Sequence, residues 1–416
     1  MRLGEPSFIL PIMAVGGTAH TLRADYARAR LPVRIIPFTI RLGVMAAQRS
    51  LEPLVQVRVL EAELDVGRIV SEGEGSAVVQ SPAAVIVLAA GAGTRMKSAT
   101  PKVLHEMCGR SLLGHAIHAA RDLFPQSVAV VVRHQRDRVA EHALAVDPNV
   151  LIADQDDIKG TGRAVWCGLQ ALPEDLEGPV VVMAGDTPLL NTETLAELVD
   201  NLGSNAVTVL TTSVPDSTGY GRILRDESGA ICGVVEHADA TAAQREIHEI
   251  NTSTYAFDAA FLRENLGKLG AANAQGEMYL TDIVELASAS ASGAGVGDLV
   301  LEDSWLVEGC NDLAQLATLR AEMNRRIVHS WMVSGVSIVD PATTYIDVDV
   351  EIEPDCRILP GTTLHGQTRL ASGAIVGPGD FTDTTVEEGA VASHIVATGA
   401  HIPAGSTLPP YSIATR

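Results

Sequence analysis

The sequence predicts an α/β fold in two parts: a mostly parallel, doubly wound, Rossmann-like sheet, then a short parallel β-helix. Two observations predict it. Between residues 85 and 210, short β-branched runs with apolar residues facing both ways alternate with helix-like segments. That is the pattern of a parallel sheet covered on both faces. Beyond residue 340 the period changes, and Ile346, Ile352, Ile358, Leu364, Leu370 and Val376 fall six apart. Pro360-Gly361, Ser372-Gly373 and Pro378-Gly379 punctuate the runs. A six-residue apolar period with Gly turns marks a hexapeptide β-helix. Each apolar residue points into a triangular coil, and stacked coils bury a continuous core.

Residues 1–80 stand outside this pattern. The first fifty carry Arg2, Arg23, Arg28, Arg30, Arg34, Arg41 and Arg49 against only Glu5 and Asp25, and the next thirty turn acidic. An Arg-rich, acid-poor start suits a targeting segment, but the loosely apolar stretch Phe8 to Gly17 is preceded by Arg2 alone. We read residues 1–80 as a poorly ordered extension or an over-long start, with a true start near Val78 or Val79. Strands are expected at Val85–Leu88, Val128–Val132, Val180–Met183 and Val207–Leu210, with helices at Leu112–Leu123, Thr161–Leu172 and Thr192–Leu202. Ligands of such sheets sit at the carboxyl ends of the strands, where the loops after Leu88 and Met183 both open. A helix over Asp312–Met332 follows from Leu313, Leu316, Leu319, Met323 and Ile327 at spacings of three and four. The expected domains are thus the extension 1–80, the sheet domain 81–311, a linker helix 312–335 and the β-helix 336–416. The six-residue phase loosens after Val376 and returns with Ile402 and Leu408.

Composition narrows the function. Lys and Arg number 30 against 51 Asp and Glu, a formal charge of −21. Such a surface repels nucleic acid and anionic membranes. It also repels nucleotides, so a phosphate site here must be locally positive. The five cysteines, Cys108, Cys167, Cys232, Cys310 and Cys356, lie far apart with no metal spacing, and an odd count argues against a disulfide framework. A reducing cytoplasm is the expected compartment. No apolar run approaches the roughly 18 residues of a membrane span.

The chain is organised around Val85 to Gly109. A strand ends at Leu88, Ala89 to Gly93 removes side-chain bulk, and Arg95 and Lys102 follow. Glycines at Gly91 and Gly93 let backbone N–H groups approach a phosphate. The stretch is no P-loop, and GAGTRM lacks the third glycine of the dinucleotide fingerprint. A strand, a Gly-rich turn, then Arg and Lys describe a site for a polyanion; a tight turn with two solvated cations is the bland alternative. Asp186 follows a strand, where it is placed either to hold Mg²⁺ near phosphates or to form a turn. Thr161 after Gly160, and Asn311 before the linker helix, are each open to a helix-capping reading.

LAAGAGTRM followed by PKVLH resembles the opening of sugar-nucleotide pyrophosphorylases and, within them, the N-acetylglucosamine-1-phosphate uridyltransferase half of the bifunctional GlmU family. The resemblance covers roughly residues 83–416 and is most specific over 85–311. It implies a left-handed β-helix, Mg²⁺ as cofactor, and UTP and N-acetylglucosamine 1-phosphate as substrates. It implies substrate contacts at Leu88, Ala89, Ala90, Gly91 and Gly185. Uracil contacts fall at Gln155, Gly160 and Thr161 in QDDIKGTG, and sugar contacts at Gly221, Glu236 and Asn251. Asp186 and Asn311 become the metal ligands, and Arg95 and Lys102 the catalytic cations. Ala184 stands where family members often carry Tyr or Ser. The run Asn273 to Asp282 also matches, with no chemical role assigned.

The expected reaction is attack of N-acetylglucosamine 1-phosphate on the α-phosphorus of UTP. The alternatives are another sugar-1-phosphate nucleotidyltransferase or a non-catalytic scaffold. In the family the β-helix continues and carries an acetyl-coenzyme A site. The chain stops at Arg416, and His365, His394 and His401 match no acetyltransferase histidine, so acetyl transfer is expected to be absent. A homotrimer packed through the β-helix is implied, with no nucleic-acid or membrane partner.

Overall fold

The computed structural model describes residues 81–290 and 295–415, together with four short strands nearer the N-terminus. Those strands form two antiparallel pairs, Ile9–Ile12 with His20–Arg23 and Ile35–Thr39 with Gln56–Leu60. The remainder of 1–80, on which the reading of a poorly ordered extension falls, lies outside the described residues. The chain divides into two compact units, Met1–Ala77 and Val78–Arg416, and the second carries everything below.

Its sheet holds nine strands: β1 (Ala84–Leu88), β2 (Ser127–Val132), β3 (Leu151–Asp154), β4 (Pro179–Ala184), β5 (Val207–Ser213), β6 (Gly221–Arg225), β7 (Ile231–Val235), β8 (Glu249–Asp258) and β9 (Val296–Leu301). Strands β4, β1, β2 and β3 run parallel side by side, and β5 pairs parallel with β9. Strand β8 is reversed and joins the two groups. One edge of β8 is shared. Tyr255–Asp258 pair with β4, and Ile250–Asn251 pair with β6 of the β6–β7 hairpin. The carboxyl end of β4 therefore opens beside Gly221 and Asn251.

The apolar runs read as two-faced because they are. Ala84 and Ile86 enter one core, Val85 and Val87 the other, and all four are fully buried to within 0% exposure. Helices α1 (Leu112–Arg121), α2 (Arg136–Val146), α3 (Thr161–Gln170), α4 (Thr192–Asp200), α5 (Ala242–Arg245), α6 (Ala259–Leu266) and α7 (Asp282–Ser288) connect the strands. Ser111, Asn191 and Asp258 cap α1, α4 and α6 by accepting from the third residue on.

Helix α8 (Leu313–Val333) links sheet domain and β-helix. Leu316, Leu319 and Met323 are buried as their spacing predicts. Leu313 is not; it is 52% exposed, and Val328, outside the predicted set, is buried against the β-helix instead. Asn324 closes the helix onto the first coil, donating from Nδ2 to Thr344 O (2.8 Å) and accepting from Ile346 N (3.0 Å).

The β-helix stacks parallel two- to four-residue strands on three faces. Its first two coils repeat every 18 residues, Ile346 stacking on Leu364, Ile352 on Leu370 and Ile358 on Val376. The next step is 16 residues, Leu370 to Val386 and Val376 to Ala392. The six-residue phase slips there because two turns are one residue shorter, not because the helix ends. Phe381, Val386, Ala392 and Ala397, which strict counting by six passes over, are fully buried in the core.

Candidate active site

Strand β1 ends against the carboxyl ends of its neighbours. Ala89 N donates to Val131 O (2.9 Å) and Gly185 N to Leu88 O (2.9 Å), so the loops after β1 and β4 meet at one edge. Around Gly91 there is open space, with no atom within 4 Å of where a side chain would begin. At Gly93 the reverse holds. Its φ is +57°, and a Cβ would stand 2.6 Å from Lys102 Cβ, so the turn folds directly onto the lysine. Arg95 and Lys102 each sit in a single 3-10 turn, Thr94–Met96 and Lys102–Leu104.

Four charged or amide side chains then converge from distant parts of the chain. Lys102 Nζ lies 2.5 Å from Asp186 Oδ2 and 3.4 Å from Asn311 Oδ1. Arg95 Nη2 donates to the same Asn311 oxygen at 2.7 Å. The Lys102 and Asp186 side chains are only 17% and 18% exposed, which strengthens their attraction relative to a surface pair. Cys310 N donates to Asp186 O (3.2 Å), fixing the Asn311 loop against the Asp186 loop. The helix-capping reading of Asn311 fails: Asp312 caps α8, its Oδ1 accepting from Gln315 N at 2.8 Å, which leaves the Asn311 amide oxygen facing the cations.

Asp186 and Asn311 offer one carboxylate and one amide oxygen. No group of three or more His, Cys, Asp or Glu suited to a metal occurs among the described residues. Two hard oxygen donors suit a divalent ion whose remaining shell is phosphate and water. The donor set therefore fits a divalent ion that is only partly coordinated by protein.

The loop after β3 is built around backbone contacts. Gln155 Nε2 donates to Ile158 O (3.0 Å) and Gly160 O (3.2 Å). Gly162 N donates to Met278 O (2.8 Å) and Met278 N to Lys159 O (2.9 Å). Thr161 opens α3, yet its hydroxyl accepts from Leu280 N (3.1 Å) and so braces two loops. The run Asn273 to Asp282, which sequence reading left without a role, is the platform under this loop.

Gly221 and Asn251 face each other in the ladder, and the Glu236 Oε2 atom lies 3.5 Å from where a Gly221 Cβ would be. Glu236 Oε1 accepts from Thr281 Oγ1 (3.2 Å). Leu280 and Thr281, consecutive residues, thus tie the Gln155–Thr161 loop to the Gly221–Glu236–Asn251 pocket. Tyr220 lies within the field of the Lys102–Asp186 cluster: burial, then the Glu308 and Asp186 carboxylates, push its phenol up. Neither Glu308 nor Tyr220 signals a site by residue type alone.

Burial, reinforced by Asp282, Asp239 and Glu277, pushes the Glu236 carboxyl up, while the Thr281 bond pulls it down. A carboxyl raised in the folded state holds its proton more readily than in the unfolded chain. The stability this contributes is present below the ordinary glutamate range and is lost as pH rises through the folded value. Glu236→Gln should remove that loss. Thermal melts from about pH 4 to 7 are expected to show the wild type falling relative to the variant as pH rises, and parallel curves would refute the burial argument.

The histidines of the β-helix are otherwise engaged. His365 Nδ1 is 3.1 Å from Asp347, His401 pairs with Glu387 at 3.6 Å, and His394 packs its ring on Tyr411. All five cysteines are free. No helix among the described residues is long and apolar enough to cross a membrane.

Residues 85–248 match the family described as MobA-like NTP transferase domain. The chain is 55% identical to the bifunctional protein GlmU of Paenarthrobacter aurescens over 336 residues, 80% of this chain and 67% of that one. It is 59% identical to the GlmU of Kineococcus radiotolerans over 312 residues, 74% of this chain and 62% of that one. With the GlmU of Streptomyces coelicolor it shares 50% over 335 residues, 80% and 69% of the two chains. The domain match and these relatives place the chain among the sugar-phosphate nucleotidyltransferases. This chain belongs to the GlmU family and carries its uridyltransferase half, an enzyme of the UDP-N-acetylglucosamine diphosphorylase type. It spans about two thirds of the length of those relatives.

Proposed function

We propose that the chain transfers UMP from UTP to N-acetyl-α-D-glucosamine 1-phosphate, giving UDP-N-acetylglucosamine, a peptidoglycan precursor, and pyrophosphate. The observation that carries this is the direct joining of Arg95, Lys102, Asp186 and Asn311 at one sheet edge of an otherwise anionic protein.

The attacking phosphate monoester is mostly ionised near neutral pH, its second pKa being about 6, so the reaction needs no general base. The barrier is electrostatic: two anions must meet and pyrophosphate must leave. Lys102 neutralises the α-phosphate or the sugar phosphate, and Arg95 the β- and γ-phosphates of the leaving group. Asp186 and Asn311 would hold Mg²⁺, which when bound would supply further charge neutralisation. Gln155, Gly160 and Thr161 read the uracil edge, with Leu88 to Gly91 and Gly185 lining the nucleotide. Gly221, Glu236 and Asn251 hold the sugar; a carboxylate accepts from hydroxyls, and an amide serves both sides of the acetamido group. Two phosphorylated small molecules as substrates and five free cysteines support a cytoplasmic setting, and assembly as a homotrimer through the β-helix belongs to the same proposal.

Pyrophosphate release is the test. UTP, N-acetylglucosamine 1-phosphate and Mg²⁺ are expected to give turnover that chelation abolishes. CTP, dTTP and glucose 1-phosphate are expected to be poor replacements. Preference for another pair would reassign the substrate, and no turnover with any pair would favour a non-catalytic scaffold.

A further inference from the structure

Arg222 is among the largest fully buried side chains of the described residues, 1% exposed. A guanidinium does not give up its proton inside proteins, so its charge must be met where it lies. Here it is met almost wholly by carbonyl oxygens. Nε donates to Ile247 O (3.1 Å), Nη1 to Tyr220 O, and Nη2 to Arg245 O (3.5 Å) and to His237 Nδ1 (3.3 Å). An arginine only donates, so His237 Nδ1 is the unprotonated ring nitrogen. Asp216 attracts the charge through the field and Arg245 opposes it.

The three segments reached by this one fork are the three that carry the sugar pocket. Tyr220 precedes Gly221. His237 follows Glu236. Arg245 and Ile247, at the exit of α5, lead into Glu249 to Asn251 at the start of β8. In the ladder Arg222 itself pairs with Ile250 and Val235, the neighbours of Asn251 and Glu236.

We propose that Arg222 is the positioning residue of the sugar pocket, setting Gly221, Glu236 and Asn251 at fixed separations without touching the sugar. The assignment rests on the sugar site proposed above. A planar fork with donors in fixed directions can hold three chain segments at once, two through carbonyl oxygens and one through the His237 ring. A lysine ammonium, a single point on a flexible stem, cannot. Such a buried charge is retained only where its full set of bonds is made, so losing part of the set loosens all three segments together.

Arg222→Lys tests this, because it keeps the charge and removes the fork. The Michaelis constant for N-acetylglucosamine 1-phosphate is expected to rise about tenfold, the loss of one bond to a charged group, while that for UTP stays within about twofold. Calorimetric binding of the sugar phosphate should weaken by the same factor, a readout that needs no turnover. Equal rises in both Michaelis constants with a lowered melting temperature would mark Arg222 as a general structural residue and overturn the proposal. So would an unchanged sugar constant in a folded variant. Should Arg222→Lys fail to fold, His237→Ala removes a single acceptor, and about a threefold rise confined to the sugar constant is expected; no change there overturns the proposal. A wild type that prefers another sugar 1-phosphate would refute the substrate proposed above, and the Arg222 comparison would be read on that sugar instead.

Discussion

Lys102→Ala and Asp186→Ala are each expected to lower turnover about 10²–10³-fold, the scale of one lost transition-state contact. The two side chains lie 2.5 Å apart and are largely shielded from water. In the free enzyme each neutralises the other, and the Asn311 oxygen is shared by Arg95 and Lys102. The cluster is therefore a preformed charge arrangement, held in place before an anion arrives. On the mechanism proposed above, a bound triphosphate would replace the carboxylate as partner of Lys102, at the position where charge develops. Loss of Lys102 should appear mainly in kcat, whereas Asp186→Ala should also raise the Mg²⁺ concentration needed for half-maximal rate. Steady-state kinetics across a Mg²⁺ titration separates the two. Near-normal turnover in either variant would remove that residue from the mechanism.

Gly160→Ala should be nearly as damaging, for a reason of backbone geometry. Gly160 has φ +114°, and a Cβ there would stand 2.2 Å from Met278 O and 2.5 Å from Met278 N. Both are backbone atoms, so neither can turn aside. To admit the methyl group the Gln155–Thr161 loop must leave its platform. It would lose the Gly162–Met278, Met278–Lys159 and Leu280–Thr161 hydrogen bonds. A destabilisation of about 3 kcal/mol and a fall of at least about 10²-fold in kcat/KM for UTP are expected. Gly91→Ala is the control, because open space surrounds that position; it should leave the melting temperature nearly unchanged. A Gly160→Ala protein with wild-type melting temperature and UTP kinetics would show that the loop is not held as described.

Much of the fold is local and so was legible. Residues 85–88 alternate between two cores within a single strand, and that two-faced burial leaves a continuous β-branched run in the sequence. The same holds for the 18-residue coils, whose inward positions fall six apart. Where coils shorten to 16 residues the sequence signal fades, because two missing turn residues shift the count while leaving the stacking intact. Leu313 shows the opposite failure: it keeps the helical spacing, but as the first residue of α8 it stays 52% exposed.

The site divides in the same way. A Gly-rich turn with Arg95 and Lys102, read by itself, described a polyanion site in a chain of charge −21, with a tight turn and two solvated cations as the alternative. Asn311 read by itself favoured a helix cap, and Thr161 likewise. Only the tertiary structure shows Asp312 taking the cap and Thr161 bracing a second loop. The role of Asn273 to Asp282, and the buried fork of Arg222, were beyond sequence reading altogether. Strand, helix and coil periods are written into neighbouring residues, because burial repeats along one element. Which oxygen meets which cation is settled by segments some two hundred residues apart closing on the same sheet edge, and no spacing along the chain records that.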